Sequence, residues 1–324
     1  MLKHSYLLPT AFLALIHGHA AAADAQLYPA KAVRLIIAYA AGGGTDTVGR
    51  VFAQKLTEGL GRQVIVDNRP GANGNIASEI AVNSPADGYT MLMGNIGPIA
   101  VNPHLYKLAF DPMRDLAPVT LIATAPLLVV VHPSLPVNSL KDLIALAKRQ
   151  PGKLSYSSAG VGSSNHLAGA LFNIEAAVDV VHIPYKGAAP AVIDLLAGQV
   201  QLSFQTLPSV GANVKSKRLK PLAITSKKRS AIFPEVPTAW EGGLQGFEVS
   251  AWYSLLVPAA TPRVIIDRLN AETLKALMQQ DVTERLEVEG AEAAGTSAEE
   301  FGEFMRAESA KWGRVVKLSG MTAQ

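Results

Sequence analysis

Short apolar, β-branched runs alternate along this chain with segments whose apolar residues recur every three to four positions. Such switching between a two-residue and a 3.6-residue period is the imprint of βα units, and it predicts an α/β fold around largely parallel sheet. The first unit runs from a strand at 33–39, through Gly42-Gly43-Gly44, into a helix with Val48, Val51, Phe52 and Leu56 on one face. Gly59 and Gly61 stop that helix. Strands follow at 63–67 and 89–94, with a glycine-rich turn and a short helix from Asn75 between them.

A second set begins after Phe110-Asp111-Pro112, with two strands at 117–124 and 127–132. Ser139 caps a helix carrying Leu140, Leu143, Ile144 and Ala147. Strands at 154–158, 180–185, 202–205 and 222–225 then interleave with helices at 166–174, 190–196 and 210–216. The chain finishes with a strand at 247–257 and helices at 262–279, 282–288 and 298–317. Two βα sets imply two lobes. The last helices are apolar (Ile265, Ile266, Leu269, Leu274, Leu277) and need a sheet to cover. Returning them to the first lobe makes the chain cross twice, near 124 and near 230–247. The expected organisation is lobe 1 at 26–124 plus 247–324 and lobe 2 at 125–246, with a ligand cleft between them.

Composition narrows the function. The chain has 324 residues, 49% hydrophobic and 17% charged, which suits a folded protein of about two domains at ~150 residues each. A net charge of +3 offers no concentrated basic face for nucleic acid. Seven basic residues between Lys215 and Arg229 read as a solvated surface. Cysteine is absent, which removes disulfides, thiolate nucleophiles and cysteine-held metals. The histidines beyond residue 25 are His104, His132, His166 and His182, with no metal-binding spacing, so neither metal nor cofactor is expected. Lys3 and His4, an apolar stretch at 7–16 and the small residues Ala20 to Ala25 read as a cleavable signal peptide over 1–25. The mature protein is then expected to start near Gln26 and be soluble, since no later run reaches the ~18 apolar residues of a membrane span.

Two loops carry the candidate chemistry. Ala40-Ala41-Gly42-Gly43-Gly44-Thr45-Asp46 joins a strand to a helix, where glycine admits a ligand to the backbone and the unpaired N–H groups of the helix start favour an anion. A tight turn capped by Thr45 or Asp46 accounts for the same string. Neither a dinucleotide nor a phosphate-loop motif is present, because Thr47 stands where a third glycine belongs and Arg50-Val51 where Lys and Ser/Thr belong. Ser157-Ser158-Ala159-Gly160-Val161-Gly162-Ser163-Ser164-Asn165-His166 repeats the arrangement without a carboxylate, making it the better carboxylate-binding end. A nucleophile elbow fails there, as His166 occupies the last glycine position. Asn95 in Gly94-Asn95-Ile96-Gly97 and Tyr185 in Pro184-Tyr185-Lys186-Gly187 end two further strands.

Several of these strings, taken in order, resemble the tripartite tricarboxylate transporter receptor family, the Bug-type periplasmic binding proteins. They include Gly42-Gly43-Gly44-Thr45-Asp46, Val66-Asp67-Asn68-Arg69-Pro70-Gly71-Ala72 and Pro85-Ala86-Asp87-Gly88-Tyr89-Thr90. Asn102-Pro103-His104-Leu105-Tyr106, Ser158-Ala159-Gly160-Val161-Gly162, His182-Ile183-Pro184-Tyr185-Lys186-Gly187 and Gly246-Phe247-Glu248-Val249-Ser250-Ala251-Trp252-Tyr253 continue the series. The resemblance implies a two-lobe, type II periplasmic-binding-protein-like fold that closes on a carboxylated solute and hands it to membrane permease subunits. It also implies that the two loops grip the ligand from opposite lobes. The candidate ligand-binding set is Ala41, Gly42, Gly43, Asp46, Asn95, Ala159, Gly162, Ser163, Ser164, His166, Tyr185 and Gln205, the last standing where the family often has a carboxylate. The expected protein is a monomer without catalytic residues. A receptor feeding a signalling sensor is one alternative; a hydrolase using Ser163 or Ser164 with His166 is another.

Overall fold

The computed structural model describes residues 28–39, 41, 44–185, 187–288 and 290–322. The signal-peptide segment, Gly42, Gly43 and Lys186 lie outside the described residues. Among the described residues ten strands share one curled, mixed sheet, flanked by helices, whose backbone runs β2-β1-β3-β9-β4-β7-β5-β6. In the first half, β1 (Val33–Ile37), β2 (Val64–Asn68) and β3 (Thr90–Asn95) are parallel. In the second, β5 (Ser155–Ser158), β6 (Val181–Pro184) and β7 (Leu202–Thr206) are parallel. Parallel strands need crossover helices. These are α1 (Gly44–Leu60), α2 (Asn75–Val82), α3 (Leu140–Arg149), α4 (Ser164–Ala176), α5 (Ala188–Leu196) and α6 (Leu207–Lys215).

The two halves meet on β4 (Leu116–Val131) and β9 (Ser250–Pro258). From Leu116 to Pro126, β4 pairs antiparallel with β9; from Leu127 to Val131 it pairs with β7 and, beyond Leu127, with β8 (Lys220–Ile224). The two strands expected at 117–124 and 127–132 are thus one. Pro126, which lacks an N–H, falls opposite Ser250 where β4 changes partner, so its missing donor leaves no rung unmade. Thr225 knots the second crossing. Its N–H donates to Leu127 O (2.9 Å), its hydroxyl accepts from Leu127 N–H (2.8 Å), and the hydroxyl proton goes to Val249 O.

Apolar faces sort the helices. Val48, Phe52 and Leu56 of α1 pack in one buried cluster with Ile265, Ile266 and Leu269 of α7 (Arg263–Leu277) and Val282 and Leu286 of α8 (Gln280–Val288). A larger cluster joins Ile36 and Leu92 of the first half with Tyr156, Phe172 and Phe204 of the second. The C-terminal helix α9 (Ala298–Ser319), begun by a capping box of Ser297 and Glu300, adds Phe301, Met305, Trp312 and Val315 to that shared core. The short β10 (Glu292–Ala293) pairs with β4. The C-terminal ends of the parallel strands therefore face each other across β4 and β9, which places the strand-to-helix loops of both halves around one space.

Candidate functional site

That space is a cavity of about 600 Å³. Four helix starts contribute to its wall: Thr45 in the first turn of α1, Ser163, Ser164 and Asn165 at α4, Gly187 and Ala188 at α5, and Thr206 and Ser209 at α6. At α4 the local chemistry is explicit. Ser163 is the N-cap, its hydroxyl accepting from His166 N–H (3.3 Å) and donating to Gly160 O (2.7 Å). The N–H groups of Ser164 and Asn165 occupy the next two positions, where a helix supplies no acceptor. Each helix start carries roughly half a positive charge from its aligned peptides. None of the described residues lining the cavity is charged. The polar groups that these described residues offer a ligand are peptide N–H groups, amides and hydroxyls.

The opposite wall is built of asparagines. Gly71, Ala72, Asn73 and Gly74 all have positive φ, an uncommon run that Asn tolerates better than most residues. Asn73 lines the cavity, its Nδ2 donating to Asn102 Oδ1 (3.1 Å). Asn102 Nδ2 in turn reaches Asn73 O (3.0 Å) and Asn75 Oδ1 (2.6 Å). The Tyr39 hydroxyl lies 3.3 Å from Asn73 Oδ1 and 3.2 Å from Asn95 Oδ1. Burial pushes the Tyr39 phenol up to about 12, with the Asn95 hydrogen bond opposing, so it stays a neutral donor. Gly162 closes against this wall from the other half. Its φ is +77, and a Cβ there would sit 2.9 Å from Asn73 Nδ2. Trp252 and Tyr253 of β9 form the back, next to the crossing.

The expected site residues divide cleanly. Ala41, Asn95, Ala159, Gly162, Ser163, Ser164 and Gln205 line the cavity together. Gln205 is buried in the floor, Nε2 donating to Ser203 Oγ (2.9 Å) and Oε1 accepting from Asn165 Nδ2 (3.2 Å). Asp46 is not part of the lining; it is buried in the first turn of α1, accepting from Arg50 Nε (2.9 Å) and Asn68 Nδ2 (2.9 Å). Tyr185 does not either. Its hydroxyl donates to Asp194 (2.7 Å), and burial with that carboxylate raises the phenol to about 12. His166 sits behind the Gly160–Gly162 turn, its ring 3.7 Å from that of His182 and parallel within 7°. Gly42 and Gly43 are not among the described residues.

Tyr39, Asn73, Asn165, Thr206, Ser209 and Trp252 line the cavity but were not among the residues expected from sequence. The Gly71-Ala72-Asn73-Gly74 string was the available signal for Asn73. The serine hydrolase arrangement is absent: the hydrogen bond between Ser163 and His166 uses the His166 backbone N–H, and the ring nitrogen Nδ1 is taken by Gly162 N–H (3.2 Å). Close Ser–His side-chain contacts lie elsewhere: Ser158 Oγ to His182 Nε2 at 2.6 Å, with Ser158 wholly buried, Ser134 Oγ to His132 Nδ1 at 2.7 Å, and Ser309 Oγ to His104 Nε2 at 3.0 Å. Among the described residues no three His, Asp or Glu side chains gather as a metal site.

The sequence profile described as Tripartite tricarboxylate transporter family receptor matches residues 48–321. The chain belongs to that family. The receptor is 36% identical to BugT of Bordetella pertussis over 305 residues, 94% of each chain. Among solved structures it superposes on R. palustris Rpa4515 with adipate at a TM-score of 0.82 and 36% identity, covering 91% of this chain and 99% of that one. MatC of Rhodopseudomonas palustris with bound malate gives 0.78 and 30%, over 89% and 100%. Family and neighbours are solute-binding receptors, not enzymes, and the neighbours share the α/β fold with its curled mixed sheet flanked by helices.

Proposed function

We propose that the receptor binds a small dicarboxylate in the cavity between its lobes and delivers it to the membrane permease subunits of a tripartite transporter. The observation that carries this reading is the convergence of four helix starts on a cavity whose described lining bears no charge. An uncompensated anion is the ligand such a field favours. The R. palustris relatives with adipate and malate support the same chemical class. In this reading the lobes comprise 26–124 with 247–324 and 125–246, and they hinge on β4 and the segment before β9. Residues 1–25 act as the export signal and the mature receptor works as a periplasmic monomer. Among the described residues no helix is long and apolar enough to cross a membrane.

Within the proposed site, the Ser164 and Asn165 amides hold one carboxylate and the Tyr39–Asn73–Asn95 wall meets the other end. Asp46 and His166 act from behind, fixing α1 and the Gly160–Gly162 turn. Micromolar affinity needs about 8 kcal/mol, within reach of a few charge-assisted hydrogen bonds plus burial. The test is a thermal-shift screen of mono-, di- and tricarboxylates, followed by calorimetry on the best acid and its diamide. The expected result is that a dicarboxylate raises the melting temperature and its diamide does not. Equal binding of acid and diamide would refute the reading.

A further inference from the structure

Behind the cavity, Tyr156, His182 and His166 form a pile of rings: Tyr156 lies 5.0 Å from His182, and His182 lies 3.7 Å from His166. The hydrogen bonds of the two imidazoles run to Ser158 and to the Gly162 amide, not to a carboxylate. The two imidazoles instead hold backbone. His166 Nδ1 accepts the Gly162 N–H (3.2 Å). His182 Nε2 contacts Ser158 Oγ at 2.6 Å, and that same oxygen accepts the Gly160 N–H (3.1 Å). Both ends of the turn from Ser158 to Gly162 are therefore tied to the ring pile, and this turn leads straight into the Ser163 cap of α4. Gly160 (φ +126) and Gly162 (φ +77) adopt conformations that a free loop would leave readily.

We propose that His166 and His182 are a positioning pair: as neutral rings they lock the Ser158–Gly162 turn from behind, and so aim the helix-start amides of α4 at the ligand. The proposal deepens the ligand-binding reading above and rests on it for its consequence in affinity. A ring accepting Gly162 N–H at Nδ1 must carry its proton on Nε2. A further proton from solvent would occupy the Nδ1 lone pair, and the Gly162 amide would lose its acceptor. Two protonated rings stacked this closely would also repel each other. Burial, then the neighbouring His182, pulls His166 down to about 3, and burial pulls His182 down to about 4, so both are neutral where a receptor works. The cavity beside the pair is lined by two other titratable groups, Tyr156 of β5 and Asp179 ahead of β6, while α9 and the residues after it bring Leu318, Ser319 and Met321. Phe204 of β7 packs edge-on against Tyr156.

Nitrogen NMR of the unsubstituted receptor reads the tautomer directly. Nε2–H on His166, with no titration above pH 5, is the expected result; Nδ1–H, or titration near 6.5, overturns the proposal. Hydrogen exchange over residues 158–163 then compares His166→Phe, which keeps the stack but loses the acceptor, with His166→Asn, whose side-chain oxygen restores one. Exchange rises at least tenfold in H166F and returns toward the native rate in H166N, with affinity for the best carboxylate of the screen following the same order. Unchanged exchange in a folded H166F refutes the positioning role. If H166F does not fold, the tautomer and H166N still decide. Failure of every acid to bind the native receptor, with the exchange pattern as expected, sinks the ligand reading and leaves the positioning intact.

Discussion

Ser164→Pro separates the backbone amide from everything else at the proposed anion site. Ser164 is the first residue of α4, where proline's fixed φ is compatible and its missing N–H breaks no helical bond. The preceding residue must be extended, and Ser163 already is, at φ −71 and ψ 157. The Ser163 cap onto His166 N–H is untouched. What disappears is one N–H facing the cavity, together with the Ser164 hydroxyl, so Ser164→Ala is the reference. A hydrogen bond to a charged group contributes about 1.5–3 kcal/mol. At about 1.4 kcal/mol per decade, S164P binds its carboxylate roughly 10- to 150-fold more weakly than S164A. Titration calorimetry gives the ratio, and urea unfolding places the two variants within about 0.5 kcal/mol of each other. Equal dissociation constants would mean that the helix-start amide does not hold the ligand.

Other substitutions test neighbouring parts of the argument. Gln205→Glu keeps the acceptor for Asn165 and adds a charge to the floor. At roughly 7 Å and an effective dielectric of ~20 this costs about 2 kcal/mol, so dicarboxylate affinity measured by calorimetry falls about thirtyfold, and unchanged affinity would count against a bound anion there. Gly162→Ala combines φ +77 with a 2.9 Å approach to Asn73 Nδ2, and small-angle scattering is expected to show a more open receptor with weaker binding. Gly169→Ala drives a Cβ to 2.1 Å from the Tyr156 ring; overpacking of about 1–3 kcal/mol outweighs the gain in helix propensity, and urea denaturation reads the loss. Acid weakens the fold. His166 binds protons in the unfolded chain below about 6.5 but in the native state only near 3, so its contribution to stability is complete above 6.5 and shrinks as pH falls toward 3. Between pH 7.5 and pH 5 His166 alone removes about 2 kcal/mol, which denaturation at the two pH values resolves.

The βα rhythm was legible because strand and helix periods differ, and the parallel strands fall within two residues of their expected bounds. The break expected between 124 and 127 is absent because β4 runs on through Pro126 as it changes partner, a continuity that only the sheet reveals. For the site, the loops were legible and the rotation of side chains was not. Ser164, Asn165 and His166 are consecutive, each turned by about 100° from the last. Two face the cavity and the third turns back onto His182. The same applies at α1, where Thr45 lines the cavity and Asp46 faces Asn68. Asn73 escaped notice because its placement depends on a run of positive φ spanning a turn, a property of four residues together.

A lining with no charge among its described residues has a consequence for how such receptors diverge. Apart from a change to proline, a point mutation alters a side chain and leaves the peptide N–H at a helix start in place, so the proposed grip on an acid group is less exposed to mutation than one built from charged side chains. Lineages are free to resize the pocket or change its polarity stepwise, passing from one organic acid to the next through ancestors that still hold some acid. Recruitment of one scaffold to many nutrients then requires no stage at which the scaffold is useless.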